Sequence, residues 1–257
     1  MKIITPDWPA PGNVRAYTTT RLGGVGKPPW DSFNLADHVG DAPDCVAANR
    51  AILAERLGLP AAPRWLNQVH GNTVIDADSP APGPGGGRPS GDASIAKRPN
   101  HVCAVLTADC LPVLFCHRRG SCAGAAHAGW RGLAGGVLES TVRALDTQPA
   151  DLLAWLGPCI GPEAFEVGDE VREVFVRADG QASSAFSPTR HGHWRADLYG
   201  LARQRLEAMG IREIHGGGFC TWCDRERFFS YRREGVTGRM ASLIYLTDGA
   251  RSGERAG

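Results

Sequence analysis

The chain has 257 residues, of which 42% are hydrophobic, enough for one large globular domain or two small ones. Its 28 Lys and Arg nearly balance 27 Asp and Glu, leaving a formal net charge of +1. Such a balance supplies no field for a polyanionic duplex or an anionic membrane surface, so nucleic acid and lipid are set aside in favour of a small-molecule partner.

The opening MKIITPDWPAPGNV has no basic segment followed by an apolar core, and no run reaches the ~20 apolar residues that span a bilayer. A soluble, cytoplasmic protein is expected. VRAYTTT at 14–20 is rich in β-formers, and Arg21 then enters the glycine-rich turn LGGVG. Between Asp41 and Gly58, an acidic cap, Pro43 in the first turn, apolar Val46, Ile52, Leu53 and Leu57 and the closing glycine predict a helix. Trp65 to Ile75 carries a loop with His70. SPAPGPGGGRPSGD at 79–92 is too dense in proline and glycine for a helix or central strand; it reads as a surface connection or a substrate lid.

VCAVL at 102–106, PVLFC at 112–116 and SCAGAA at 121–126 predict buried, adjacent strands, which place Cys110 and His127 at strand ends. Leu133, Val137, Leu138, Val142 and Leu145 suit one face of a helix starting near 129–132, with its amino end toward His127. DEVREVFVR at 169–177 reads as a short amphipathic helix. Asp197 to Met209, capped by Asp197 and ended by Gly210, reads as another. ASLIYL at 241–246 closes the chain as a strand, before a polar, glycine-rich tail over 247–257 expected to fray. No fixed repeat is legible, and pattern alone supports a mixed α and β single domain over 1–257.

Eight cysteines in a chain able to build its own core are expected as free thiols. Cys103, Cys116 and Cys122 lie in apolar runs and read as packing groups. Cys220 and Cys223 form a CxxC with no second CxxC to complete a zinc knuckle, and no early strand and helix to make it thioredoxin-like.

His70 in NQVHG, Cys110 in TADC and His127 in AHAGWRG stand among glycines and small residues, which allow close backbone approach to a ligand. Taken singly, each is more simply a hydrogen-bonded histidine or a buried thiol. Together, two imidazoles and a thiolate suit zinc, and three protein ligands leave a fourth position open.

NQVHG at 67–71, GDASIA at 91–96, TADCLPVLF at 107–115, AAHAGWRG at 125–132, LGPCIGPEAFEVGDEV at 156–171 and CTWCDRERFFSYRREGVTGR at 220–239 follow in this order. With TTTRLGGVG at 18–26 and FNL at 33–35, they resemble the YfiH family, also called the laccase-domain or multicopper polyphenol oxidase family. The resemblance implies an α+β fold in which mixed sheets pack as a sandwich flanked by helices, in α/β/β/α layers. It implies zinc bound by His70, Cys110 and His127. It also implies phosphorolysis of adenosine, inosine, guanosine and methylthioadenosine with adenosine deamination, so purine nucleosides and phosphate are the expected partners. Cys159 and Cys220 are expected in structural or pocket-lining turns.

Cys110 and His127 are the expected catalytic groups, joined by Asp109, which either orients a ligand or acts as acid and base, or only caps its turn. Arg21, Arg131 and Arg232 are candidates for anion or ribose contacts, because arginine offers a fork of donors. Three alternatives stay open: copper-dependent oxidation of phenols, a cysteine hydrolase editing peptidoglycan precursors with Cys110 as nucleophile, and a zinc-stabilised binding protein. The oligomeric state is left open.

Overall fold

The apolar runs assemble into two large β-sheets in the computed structural model, which describes residues 1–80 and 87–248. One sheet has four strands, ordered β1 (Ile3–Ile4), β2 (Val14–Thr19), β13 (Met240–Leu246) and β5 (Cys103–Thr107). The other has six, ordered β12 (Glu213–Gly216), β8 (Leu152–Leu156), β6 (Leu111–His117), β7 (Ala123–Ala128), β4 (Ala93–Ala96) and β3 (Val74–Asp76). Its two edge strands pair in parallel with their neighbours, and the other pairs are antiparallel. A small third sheet joins β10 (Phe186–Pro188), β11 (His193–Ala196) and β9 (Glu166–Gly168).

Strand side chains alternate between faces, and here both faces are buried. Leu114, Cys116, Ala123, Ala125, Leu153 and Trp155 of the six-stranded sheet pack against Val14, Ala16, Cys103, Val105 and Ile244 of the four-stranded one. Val113, Phe115, Ala126, Ala128, Leu152 and Ala154 turn the opposite way. They meet α3 (Val137–Leu145), α4 (Asp169–Ala178) and α5 (Leu198–Ala208). Ala104, Leu106, Ala241 and Leu243 form the outer face of the four-stranded sheet, covered by α1 (Pro43–Leu57) through Leu53, Ile52 and Leu57. The layers are helix, sheet, sheet, helix, as the resemblance implies.

Several expectations are corrected. The strand at 102–106 does not adjoin the one at 112–116; β5 belongs to the four-stranded sheet and pairs with β13, while β6 pairs with β7 and β8. The helix after His127 is two helices, α2 (Trp130–Ala134) and α3, because Gly135 closes the first and Gly136 takes φ +85° before the second. Asp41 does not cap α1: Ala42 occupies that position, while the Asp41 carboxylate accepts from Asn34 Nδ2 and from the Ala42 amide. Asp197 precedes α5 without a side-chain capping bond. Gly58 does end α1, in the left-handed region at φ +55°. Of the loop expected over 79–92, residues 81–86 lie outside the described residues, as does the tail beyond 248. No helix among the described residues is long and apolar enough to cross a membrane.

Candidate metal centre

The register of β6 against β7 sets Leu111 opposite Ala128 and Pro112 opposite His127, so Cys110, just before β6, arrives beside the end of β7. His127 follows Ala123 and Ala125 at spacing two and therefore points to the inter-sheet side. His70 comes from the loop before β3, held at φ +58°, an uncommon conformation for a residue with a side chain. Its backbone is fixed by Asp92, whose carboxylate accepts from the amides of Val69 (3.2 Å), His70 (2.9 Å) and Gly71 (2.7 Å). Asp92 Oδ1 also pairs with His127 Nδ1 at 2.9 Å, which leaves Nε2 of that ring to face the cluster.

The donor atoms of His70, Cys110 and His127 lie within 4.8 Å of one another, and they form the one such group of three found among the described residues. Cys110 Sγ is 3.8 Å from His70 Nε2. For metal–nitrogen and metal–sulfur bonds of about 2.0 and about 2.3 Å, a tetrahedral ion separates these ligands by about 3.6 Å, so the donors are spaced to accept one. Gly129 makes the approach possible, since a Cβ there would stand 2.8 Å from Cys110 Sγ and 2.9 Å from His70 Cδ2.

Charge at the cluster is strongly organised. Burial pushes the Cys110 thiol up, but the positive His127 beside it and hydrogen bonds from both histidines outweigh this and bring it to about 6. Burial pushes His127 down, whereas the Cys110 thiolate and the Asp92 carboxylate raise it to about 9. Asp92 is itself buried, which raises it, yet its bond to His127 and the loop amides hold it below the usual carboxylate range. By contrast, burial lifts Cys103 and Cys116 to about 12, in keeping with packing roles.

The cluster floors a pocket of about 480 Å³. Arg131 lines it, as do Gln68, Thr107, Tyr231 and Arg239 from the motifs at 67–71, 107–115 and 220–239, and His38 from outside any of them. Gln68 is pinned by reciprocal bonds to the Leu106 backbone, Nε2 to O and N to Oε1, both 2.8 Å. Arg239 is fixed by Nη1, which donates to the Thr237 and Gly238 carbonyls.

Other expected residues are placed elsewhere. Arg21 lies at a separate pocket, paired with Glu234 at 2.8 Å and Asp31 at 3.4 Å, so its charge is already matched. Arg232 stacks over Phe165 and donates to the Glu166 carbonyl, outside the lining of the pocket over the His70–Cys110–His127 cluster. Asp109, buried at φ +90°, accepts from Thr221 Oγ1 and from the Arg232 amide, each at 2.6 Å. Rather than capping its own turn, the carboxylate ties down the 221–232 segment. Asp92, which joins the loop amides to His127, stands in GDASIA with no local sequence feature that marks this role.

Comparison with known proteins agrees with this fold. A Pseudomonas aeruginosa protein named purine nucleoside phosphorylase is 54% identical over 250 residues, covering 95% of this chain and 98% of that one. The purine nucleoside phosphorylase YfiH of Escherichia coli is 53% identical, covering 95% of this chain and 99% of the relative. The crystal structure of a Neisseria meningitidis protein superposes with a TM-score of 0.91 at 48% identity, covering 96% of this chain and all of the other. Residues 15–247 match the family model described as multi-copper polyphenol oxidoreductase laccase. The chain belongs to this family, the one whose relatives carry the YfiH name.

Proposed function

We propose that the His70–Cys110–His127 pocket is the active site of a zinc-dependent purine nucleoside phosphorylase acting on adenosine, inosine, guanosine and methylthioadenosine, with accompanying adenosine deamination. The carrying observation is a three-donor cluster on the floor of a pocket whose walls bear two arginines, in a chain about half identical to proteins named for that activity. Two imidazoles and a thiolate are a donor set typical of zinc, and the cluster offers three protein donors where a structural centre has four. Zinc held there would supply Lewis-acid polarisation with one position left for water or substrate.

The chain's own groups do the rest. Asp92 fixes the His127 tautomer and shapes the loop that presents His70. Arg131 and Arg239 place fixed positive charge on the pocket wall, where a phosphate oxygen or the charge developing on a departing base would be stabilised. The volume accommodates a nucleoside, falling within the range of small-molecule sites. Residues 1–257 are read as one catalytic domain.

Zinc-loaded protein incubated with adenosine and phosphate is expected to yield adenine, ribose-1-phosphate and inosine. Cys110→Ala is expected to lose the metal and all three products together. Full turnover by that variant would sink the assignment.

A second reading has its own support, because Cys110, His127 and Asp92 form the chain of nucleophile, base and orienting carboxylate that a cysteine hydrolase uses. A substrate such as a peptidoglycan precursor would then be cleaved by chelator-treated protein as fast as by loaded protein. Oxygen uptake with a phenolic substrate and copper tests the oxidase that the family's description names.

A further inference from the structure

We propose that Cys220 and Cys223 form a thiol–disulfide switch, closed by exchange with a low-molecular-weight disulfide such as glutathione disulfide, that acts on the Asp109–Cys110 loop. Both thiols are free, Cys223 exposed and Cys220 half-buried. They bracket a tight turn in which the Asp224 amide donates to the Cys220 carbonyl at 3.0 Å. Such a turn sets residues three apart on one side, and the Cys223 amide reaches Cys220 Sγ at 3.4 Å. The two sulfurs are neighbours, the Cys220 sulfur hydrogen-bonding the Cys223 thiol and pushing its pKa up, and a tight turn holds residues three apart within about 7 Å, near the Cα separation that a disulfide spans.

Neither sulfur belongs to a metal cluster among the described residues. Cys159, the other thiol of this region, is fully buried and pushed far above its ordinary range by that burial, which leaves it inert. Cys220 and Cys223 also line one cavity of about 460 Å³, together with Gly161, Tyr199 and Gly217.

The exchange balances without further reactants. Cys223, the exposed thiol, attacks as thiolate one sulfur of the small disulfide; that S–S bond breaks and one thiol departs with a proton. Cys220 then attacks the Cys223 sulfur, closing the intramolecular bond and expelling the second thiol. The protein loses two electrons and two protons, and the small disulfide is reduced to two thiols.

Closure reaches the metal pocket through the backbone between the cysteines. Thr221 Oγ1 donates to Asp109, the residue before Cys110, and Arg233 Nη1 holds the Thr221 and Trp222 carbonyls at 2.6 and 2.8 Å. Cys220 Sγ also accepts from the Gly161 amide at 3.3 Å, next to Ile160, whose amide donates to the Asp109 carbonyl. Drawing the sulfur toward Cys223 removes that acceptor and disturbs both supports of the loop.

The test equilibrates metal-loaded protein in glutathione buffers from fully reduced to fully oxidised, then quenches by alkylation and maps the peptides by mass spectrometry. The expected product is a Cys220–Cys223 peptide two hydrogens lighter and unalkylated, with metal passing to a chelator about fivefold faster than from reduced protein. Cys223→Ser is expected to show neither change, and Cys220→Ser to retain the small thiol on Cys223 as a mixed disulfide. Full alkylation of both cysteines in the most oxidising buffer overturns the proposal, as do equal metal-release rates in the two forms or a wild-type response from Cys223→Ser. Any effect on nucleoside turnover rests on the function proposed above; a metal-release shift without turnover would sink that function and leave the switch standing.

Discussion

At Gly129, close approach alone decides the residue. The added methyl of Gly129→Ala would contact Cys110 Sγ and His70 Cδ2 inside van der Waals distance, and both belong to the cluster, so relief comes by displacing a ligand. Gly129→Ala is expected to leave far-ultraviolet circular dichroism unchanged while bound metal, measured by elemental analysis, falls well below one per chain. Asp92 acts one bond further out. Replacing it by Asn keeps the size but removes the charge that accepts three loop amides and the His127 N–H. Asp92→Asn is expected to weaken metal affinity by about 10- to 100-fold in chelator competition. Wild-type affinity would show that the carboxylate orients nothing.

Among the elements, the short helix α6 (Tyr231–Glu234) shows how an arginine can mislead. Glu234 accepts from Arg21, Arg233 and Thr237, and although burial raises its carboxyl, these partners hold it below its ordinary 4.5. A carboxylate depressed in the folded state contributes stability above its unfolded pKa and loses it as pH falls through the folded one. Unfolding free energy by urea should therefore drop below pH about 4.5, and Glu234→Gln should flatten that part of the profile; an unchanged slope would count against the pairing. Arg21 stood in a glycine-rich turn that suits anion binding, and nothing in its neighbourhood reveals Glu234, which is 213 residues away. The strands β2, β6, β7 and β13 were legible because apolar and β-branched residues run between turn signals. The pairing of β5 was not, since its register with β13 joins residues 103–107 to residues 240–244, far apart in the chain. LLAWL at 152–156 is a short apolar run buried on both faces, and such a run does not by periodicity alone separate a strand from a buried helical segment. The trio of His70, Cys110 and His127 was visible through its motifs, whereas Asp92, Arg239 and His38 acquire meaning only once folding gathers them.

For the molecule as a whole, the site lies where the two sheets come together at one end of the sandwich. Alternation explains why: β7 sends Ala123, Ala125 and then His127 to the inter-sheet side, and β5 sends Cys103, Val105 and then Thr107. Small residues at 123 and 125 let β7 sit closely under the four-stranded sheet, and the same strand carries His127. Core packing and ligand placement are thus set by one rigid element. Ala125→Leu inserts three carbons into this interface, where Ala125 is fully buried, and is expected to cost about 1–3 kcal/mol in urea unfolding. Because relief requires β7 to move away from its neighbour sheet, metal content should fall with stability, although residue 125 touches no donor. Leu133→Ala, a cavity on the helix side of the same sheet, should cost about 2–5 kcal/mol yet leave metal content near wild type, since it leaves the inter-sheet spacing alone. If both variants lose stability but retain the ion equally, the spacing between the sheets does not position His127.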